Sequence, residues 1–100
     1  MAAIDVDTGE GVGVARFIRD PLDPDVAEVS VAVVDDHQGR GLGAVLLGAI
    51  ADRARQEGVR RFRASVLADN HRMLTLIRRR WPYHDLRRMP ASVLELEFDL

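Results

Sequence analysis

The chain lacks several residue types, and each absence limits what it can be. Its 100 residues include no cysteine, which excludes a disulfide framework and a cysteine-based zinc site. All 14 of its Lys and Arg residues are arginine, so it has no lysine ε-amine. Aromatic residues make up only 5% of the sequence, so a core must rest mainly on Val, Leu, Ile and Ala. No apolar run could span a membrane and nothing resembles a signal peptide, so we expect a cytoplasmic protein with no membrane partner.

What is present is an ordinary globular composition with an uneven charge. Hydrophobic residues make up 47%, and the length predicts one small domain over residues 1–100. Residues 1–50 hold three Arg against nine acidic residues, whereas residues 51–100 hold eleven Arg against seven. Because these arginines are spread over at least three predicted elements, the pattern disfavours nucleic-acid binding. The histidines show no metal-ligand spacing, so we expect no metal.

Hydrophobic periodicity predicts the element order β-β-β-α-β-α-β-β. The strands are expected at Met1–Val6, Val12–Arg19, Val26–Val34, Arg61–Leu67, His84–Arg88 and Val93–Leu100. The helices are expected over Leu42–Glu57 and from an N-cap at Asp69 or Asn70 to about Arg80. The apolar face predicted for the first helix consists of Leu42, Val45, Leu46, Ala49 and Ile50.

A glycine-rich loop joins the third strand to the first helix, with the sequence Gln38-Gly39-Arg40-Gly41-Leu42-Gly43-Ala44. Glycine has no Cβ, so a ligand can approach the main chain there. The first turn of a helix has unpaired N–H groups at the positive end of the helix dipole. The two features together predict a site for a phosphate-bearing ligand.

Two other phosphate ligands fit this loop poorly. A nucleotide P-loop needs a lysine beside the phosphates, and the chain has none. Residues 39–44 do match the dinucleotide pattern G-x-G-x-x-G/A. However, Val59, Arg60 and Arg61 stand where that fold places an acidic residue, and too little chain remains for a doubly wound sheet.

The third candidate is coenzyme A. Gln38-Gly39-Arg40-Gly41-Leu42-Gly43 resembles the Q/R-x-x-G-x-G/A signature of the GNAT family of N-acetyltransferases. Asn70-His71-Arg72-Met73-Leu74-Thr75-Leu76 resembles a second segment of that family, N-x-x-(small or apolar)-x-x-L. The resemblance implies an α+β fold whose central, mostly antiparallel sheet opens into a V after the third strand, with two helices packed on it. The usual N-terminal strand and helices of the family have no counterpart here, so we expect an N-terminally shortened fold.

The resemblance also implies roles for individual residues. Acetyl-CoA would be the co-substrate, and a backbone N–H near Val33 or Val34 would bind its thioester carbonyl and pantetheine arm. The signature beginning at Gln38 would hold the pyrophosphate through the loop N–H groups of Gly39 to Ala44. Arg40 would add charge there or face solvent. Asn70 would contact the pantetheine arm or only cap its helix.

The implied reaction is direct attack of a primary amine on the thioester. Glu28 is the predicted general base, because it is the acidic residue within Val26–Val34 and related bacterial protein lysine acetyltransferases have a Glu at that strand position. This likeness favours a protein lysine or N-terminal amine as acceptor. The family's usual Tyr general acid is replaced by Ile77, which leaves Tyr83 as a substitute acid or a packing residue.

A second reading is a shortened module that binds CoA, or only dimerises, without turnover. The absent N-terminal elements and the absent Tyr favour it, whereas Glu28 and the intact loop from Gln38 to Gly43 favour an enzyme. A shortened sheet would leave an edge strand exposed, and proteins normally cover such edges. We therefore predict a homo-oligomer or association with another chain.

Overall fold

The computed structural model describes the backbone of residues 2–7, 11–35 and 41–100, and the side chains of residues 13–32 and 41–100. It contains the eight predicted elements in the predicted order. The strands are β1 Ala2–Asp7, β2 Gly11–Arg19, β3 Val26–Asp35, β4 Arg61–Leu67, β5 Asp85–Met89 and β6 Val93–Asp99. The helices are α1 Leu42–Gln56 and α2 His71–Arg80.

The six strands form one sheet in the order β1-β2-β3-β4-β6-β5. The β3–β4 pair is parallel and the other four pairs are antiparallel. Helix α1 supplies the crossover that a parallel pair requires, because two parallel strands cannot be joined by a tight turn. The mostly antiparallel α+β fold predicted from the sequence is therefore confirmed.

Both helices contribute to a single core on one face of the sheet. Helix α1 packs across β1, β2 and β3. Phe62 of β4 lies between the rings of Phe17 and Phe98, at centroid distances of 6.0 and 6.2 Å. Trp81, just after α2, stacks on Phe98 at 4.2 Å and so attaches the end of that helix to β6. The opposite face of β4 and β6 carries charged side chains, as alternation along a strand requires.

The buried stripe of α1 differs from the predicted one. Val45 is 61% exposed and lies outside the core. The stripe instead follows i, i+4 spacing: it keeps Leu42, Leu46 and Ile50 from the prediction and adds Leu47, Ala51 and Ala54, while Ala49 is only half-buried. With 3.6 residues per turn these six buried residues form one continuous side of the helix, and Val45 falls outside it.

The edges of the sheet are β1 and β5. Every residue of β5 is exposed, and its outer side has no strand beside it in the part of the chain that the structure describes. Self-association through an exposed edge stays a prediction. Neither of the two described helices is long and apolar enough to cross a membrane.

Candidate active site

The most distinctive feature of the sheet is a gap between β3 and β4. The two strands pair from Val26 with Arg61 to Val29 with Ala64, and the pairing stops there. Strand β3 continues to Asp35 and stays paired with β2 along its whole length. The second half of β3 therefore diverges from the end of β4, which is the V-shaped opening expected from the sequence.

The backbone of β3 presents hydrogen-bonding groups to this gap. The carbonyl of Asp25 accepts from the N–H groups of Arg60 and Arg61 at 2.8 and 2.9 Å, so Asp25 faces the β4 side. Alternation along the strand directs the N–H and C=O groups of Val31 and Val33 the same way, beyond the last paired residue. Val34 faces β2 instead, so Val33 is the better placed of the two residues predicted to bind a thioester.

Helix α1 begins beside the end of β3 with an unusual cap. Gly41 is its N-cap residue, with φ 77° and ψ 9°, in the left-handed region that glycine adopts without strain. No side chain in the part of the chain that the structure describes caps the helix there, and its first turn contains no acidic residue. The N–H groups of the first turn lack partners within the helix and stay available to an anion.

Three of the other predicted loop residues lie in different surroundings. Leu42 is buried in the core, so only its backbone can meet a ligand, whereas Ala44 is exposed. Gly43 faces α2: a Cβ placed on it would lie 3.0 Å from Leu76 Cδ1. Its small size therefore serves helix packing as well as ligand approach. Gln38, Gly39 and Arg40 lie outside the described residues.

Asn70 occupies the start of α2, after β4. Its side-chain oxygen accepts from the Met73 N–H at 3.2 Å, which makes it the N-cap of α2. The cap uses only the oxygen, so the amide nitrogen of the exposed side chain can still donate to a ligand. The two roles considered for Asn70 are compatible. Because β3 and β4 are parallel, α1 and α2 both start at the end of the sheet where the gap opens.

Glu28 lies on the sheet face opposite the helices, one residue before the pairing of β3 and β4 ends. Its side chain is 69% exposed, and its Oε1 is 3.9 Å from Arg63 Nη1. The same guanidinium lies 3.4 Å from Asp20, 3.5 Å from Glu97 and 3.9 Å from Glu95. Four carboxylates thus lie within 4 Å of one cation, and Glu28 is the most exposed of them.

The charges of this cluster alter two pKa values. The backbone N–H of Leu22 donates to Asp20 at 2.8 Å and Arg63 lies beside it, and together they lower the pKa of Asp20 despite partial burial. Burial acts to lower the pKa of Arg63, but the carboxylates of Asp20, Glu97 and Glu95 outweigh it and raise that pKa. The guanidinium therefore remains charged throughout the accessible pH range.

Known proteins resemble this chain in sequence and in fold. The sequence profile of the Acetyltransferase (GNAT) family matches residues 2–80. The chain belongs to the GNAT acetyltransferase family. It is 44% identical over 71 residues to acetyltransferase Pat of Mycolicibacterium smegmatis, a match that covers 71% of this chain and 21% of that protein.

Solved GNAT structures superpose on this chain. The GNAT domain of S. lividans PAT is 33% identical with a TM-score of 0.70, covering 91% of this chain and 61% of that one. Salmonella typhimurium yncA, whose structure contains its cofactor acetyl-CoA, is 24% identical with a TM-score of 0.68. That match covers 89% of this chain and 57% of yncA, and it shows the fold alone. The chain spans less than two thirds of each of these relatives.

Tyr83 lies away from the other predicted residues of this GNAT chain. It is 92% exposed and lines a cleft of about 380 Å³ together with Arg61, His84, Asp85 and Asp99. Arg61 starts β4, whereas the gap opens at the other end of that strand. The structure therefore brings Glu28, Val33, Gly41 and Asn70 towards one end of the parallel pair and leaves Tyr83 at the other.

Sequence reasoning did not identify the charge cluster on the open face of this GNAT sheet. Its signal was present as two alternating patterns, Arg61 and Arg63 in β4 and Glu95, Glu97 and Asp99 in β6. The register pairs Arg63 with Glu97 and Arg61 with Asp99. Without that register the patterns indicate only that one face of each strand is exposed to solvent. No group of three or more His, Cys, Asp or Glu suited to a metal occurs among the described residues.

Proposed function

We propose that this chain binds acetyl-CoA in the gap between β3 and β4 and transfers the acetyl group to a primary amine. The observation that carries the proposal is the end of strand pairing at Val29 and Ala64, which leaves the backbone of Val31 and Val33 without a partner strand on the β4 side. Two helix N-termini begin at the same end of the sheet. The acceptor we favour is a protein lysine or N-terminal amine.

The gap suits the chemical pattern of acetyl-CoA. Its pantetheine arm contains two amides, which can form hydrogen bonds with the unpaired edge of β3 as an added strand would. Its pyrophosphate is an anion, and the first turn of α1 after Gly41 offers unpaired N–H groups without a competing acidic side chain. Loop N–H groups from Gly39 to Ala44 and the side chain of Asn70 would complete the contacts in this proposal.

The reaction we propose is a direct displacement at the thioester carbon. The neutral amine nitrogen attacks that carbon, a C–N bond forms, and the C–S bond breaks to release the CoA thiolate. Glu28 takes the proton that the amine loses, and the thiolate takes a proton from solvent. A backbone N–H of Val33 would stabilise the oxyanion of the tetrahedral intermediate. The proposal rests on Glu28 and not on Tyr83, which lies at the far end of β4.

Binding and turnover can be measured on one sample. Calorimetric titration with acetyl-CoA tests the site, and release of free thiol tests transfer to single-lysine peptides and to peptides with a free N-terminus. Since the chain has no lysine, any acetyl-lysine found by mass spectrometry belongs to the acceptor. Glu28→Gln should lower kcat/KM by about 100-fold or more and leave acetyl-CoA affinity unchanged.

Asp99→Asn is the matched control, because Asp99 is an exposed acid on the same face, on a strand that does not adjoin β3. It should leave both quantities unchanged. Binding without thiol release from any acceptor would favour the module that binds CoA without turnover. Absence of binding would refute the proposal as a whole.

A further inference from the structure

We propose that Arg63 is a positioning residue: it holds the Glu28 carboxylate at the mouth of the β3–β4 gap, where the amine enters. This inference rests on the proposed function, in which Glu28 is the base. It concerns a residue on a different strand that touches neither cofactor nor acceptor in the proposal. Arg63 would act through Glu28.

Strand register places Arg63 beside Glu28. Glu28 of β3 pairs with Arg63 of β4, and Arg63 pairs with Glu97 of β6, so three charged side chains form one row across the sheet. Neighbouring strands are about 4.8 Å apart, and side chains in a row project from the same face. Register alone therefore places a cation between two carboxylates, whatever rotamers they adopt.

Arg63 is held more firmly than Glu28. Its guanidinium lies within 4 Å of Asp20, Glu95 and Glu97 as well as Glu28, and only 27% of its side chain is exposed. Glu28 is 69% exposed, and Arg63 is its ion-pair partner among the described residues. Because Asp20, Glu95 and Glu97 hold the Arg63 guanidinium in place, it attracts the exposed Glu28 carboxylate to one position. Without this attraction the Glu28 side chain would adopt other rotamers in solvent.

The surrounding charges give this cation its effect. Without Arg63, the Glu28 carboxylate would share its side of the sheet with Asp20, Glu95 and Glu97, whose like charges would repel it. Three other cations lie on that face. Arg16 of β2 pairs in register with Ser30, Arg87 of β5 pairs with Glu95, and Arg61 lies within 4 Å of Asp85, Glu97 and Asp99. None of the three is in contact with Glu28 in the described structure.

Arg61 provides the matched control. It lies two residues before Arg63 on the same face of the same strand and is likewise surrounded by carboxylates. It differs in having no contact with Glu28. A general effect of removing one positive charge from this face would be the same in Arg61→Met and Arg63→Met, whereas a specific effect on Glu28 would appear only in Arg63→Met.

The test measures kcat and KM for thiol release from acetyl-CoA with a single-lysine peptide, together with the chemical shift of the Glu28 carboxyl carbon at neutral pH by NMR. Arg63→Met should lower kcat by about 10-fold or more, leave the KM for acetyl-CoA unchanged and move the Glu28 signal. Arg63→Lys should restore most of both. Glu97→Gln removes a competing carboxylate, so it should move the Glu28 signal in the opposite direction.

The outcomes separate this inference from the proposed function. If no acceptor is acetylated, the proposed function fails, and opposite NMR shifts in Arg63→Met and Glu97→Gln would still establish the link between Arg63 and Glu28. If the protein is active but Arg63→Met has the kcat and the Glu28 signal of the wild type or of Arg61→Met, the inference is overturned. Should Arg63→Met fail to fold, Glu97→Gln carries the test, and an unchanged Glu28 signal in that variant overturns the inference.

Discussion

Glu28 and Arg63 stand opposite each other across the parallel pair of β3 and β4, with Oε1 of one 3.9 Å from Nη1 of the other. One residue later the pairing of the strands ends. The same backbone register thus places a carboxylate at the mouth of the gap and a cation beside it. Glu28 and Arg63 both owe their positions to this register. Substituting one side chain at a time tests the role of each separately.

Asp20 should make stability depend on acidic pH. Its hydrogen bond from Leu22 and its proximity to Arg63 hold its pKa below the ordinary value of 3.8, so the ionised form is favoured in the folded state. That stabilisation is present above pH 3.8 and is lost as pH falls through the lower, folded-state pKa. Asp20→Asn should therefore lower the free energy of unfolding at neutral pH, and its difference from wild type should shrink below pH 3.8.

Urea denaturation over a pH series measures this difference. Asp23→Asn is the control, because Asp23 also accepts a backbone N–H, from Asp25 at 3.2 Å, but contacts no arginine among the described residues. A deficit in Asp20→Asn that persisted unchanged into strong acid would contradict the assigned cause.

Gly41 should tolerate substitution less well than Gly48, although a Cβ at either position would meet nothing within 4 Å. Gly41 has φ 77°, so Gly41→Ala should cost about 1–2 kcal/mol of stability from backbone strain alone and should weaken acetyl-CoA binding. Gly48 lies inside α1, where Gly48→Ala should add roughly 0.5–1 kcal/mol. Urea midpoints and calorimetry test both, and equal effects at the two positions would exclude the conformational explanation.

Arg19 should stabilise the loop that joins β2 to β3. Its guanidinium donates to the carbonyl of Pro24 at 2.7 Å and to the carbonyl of Glu57, which links the β2–β3 loop to the end of α1. Arg19→Ala should lower the free energy of unfolding by about 1–2 kcal/mol, since both bonds are charge-assisted. Arg55→Ala breaks only an exposed pair with Asp52 on the helix surface and should cost less than about 0.5 kcal/mol. Equal losses in the two variants would count against the link.

The elements and their order could be predicted from the sequence because each carries a local signal. Strand β4 alternates buried Phe62, Ala64 and Val66 with polar residues, as predicted. Helix α2 begins at the N-cap that Asn70 provides and ends where Pro82 prevents its continuation. Such signals lie within a few residues of one another, so they can be interpreted without knowledge of the three-dimensional contacts.

Features that depend on contact between distant elements could not be predicted. Gly13 looks like an ordinary strand glycine, yet a Cβ there would collide with Leu46 of α1. Val45 fits a helical apolar pattern but faces solvent, because packing against β1, β2 and β3 decides which side of α1 is buried. The role inferred for Arg63 likewise depends on the β3–β4–β6 register. Each of these features depends on how separate elements pack or pair, and not on the sequence of one segment.

The contact between Gly43 and Leu76 should set the spacing of the two helices at the gap. A Cβ at Gly43 would lie 3.0 Å from Leu76 Cδ1, closer than side chains normally approach. Inside a helix, replacing glycine with alanine normally adds roughly 0.5–1 kcal/mol of stability. At position 43 overpacking should cancel that gain, so Gly43→Ala should be neutral or destabilising. Leu76→Val removes the interfering Cδ1 and should relieve the strain. A double-mutant cycle of urea midpoints should give a favourable coupling of about 1 kcal/mol. A Gly43→Ala variant as stabilised as Gly48→Ala would show instead that the helices move apart at no cost.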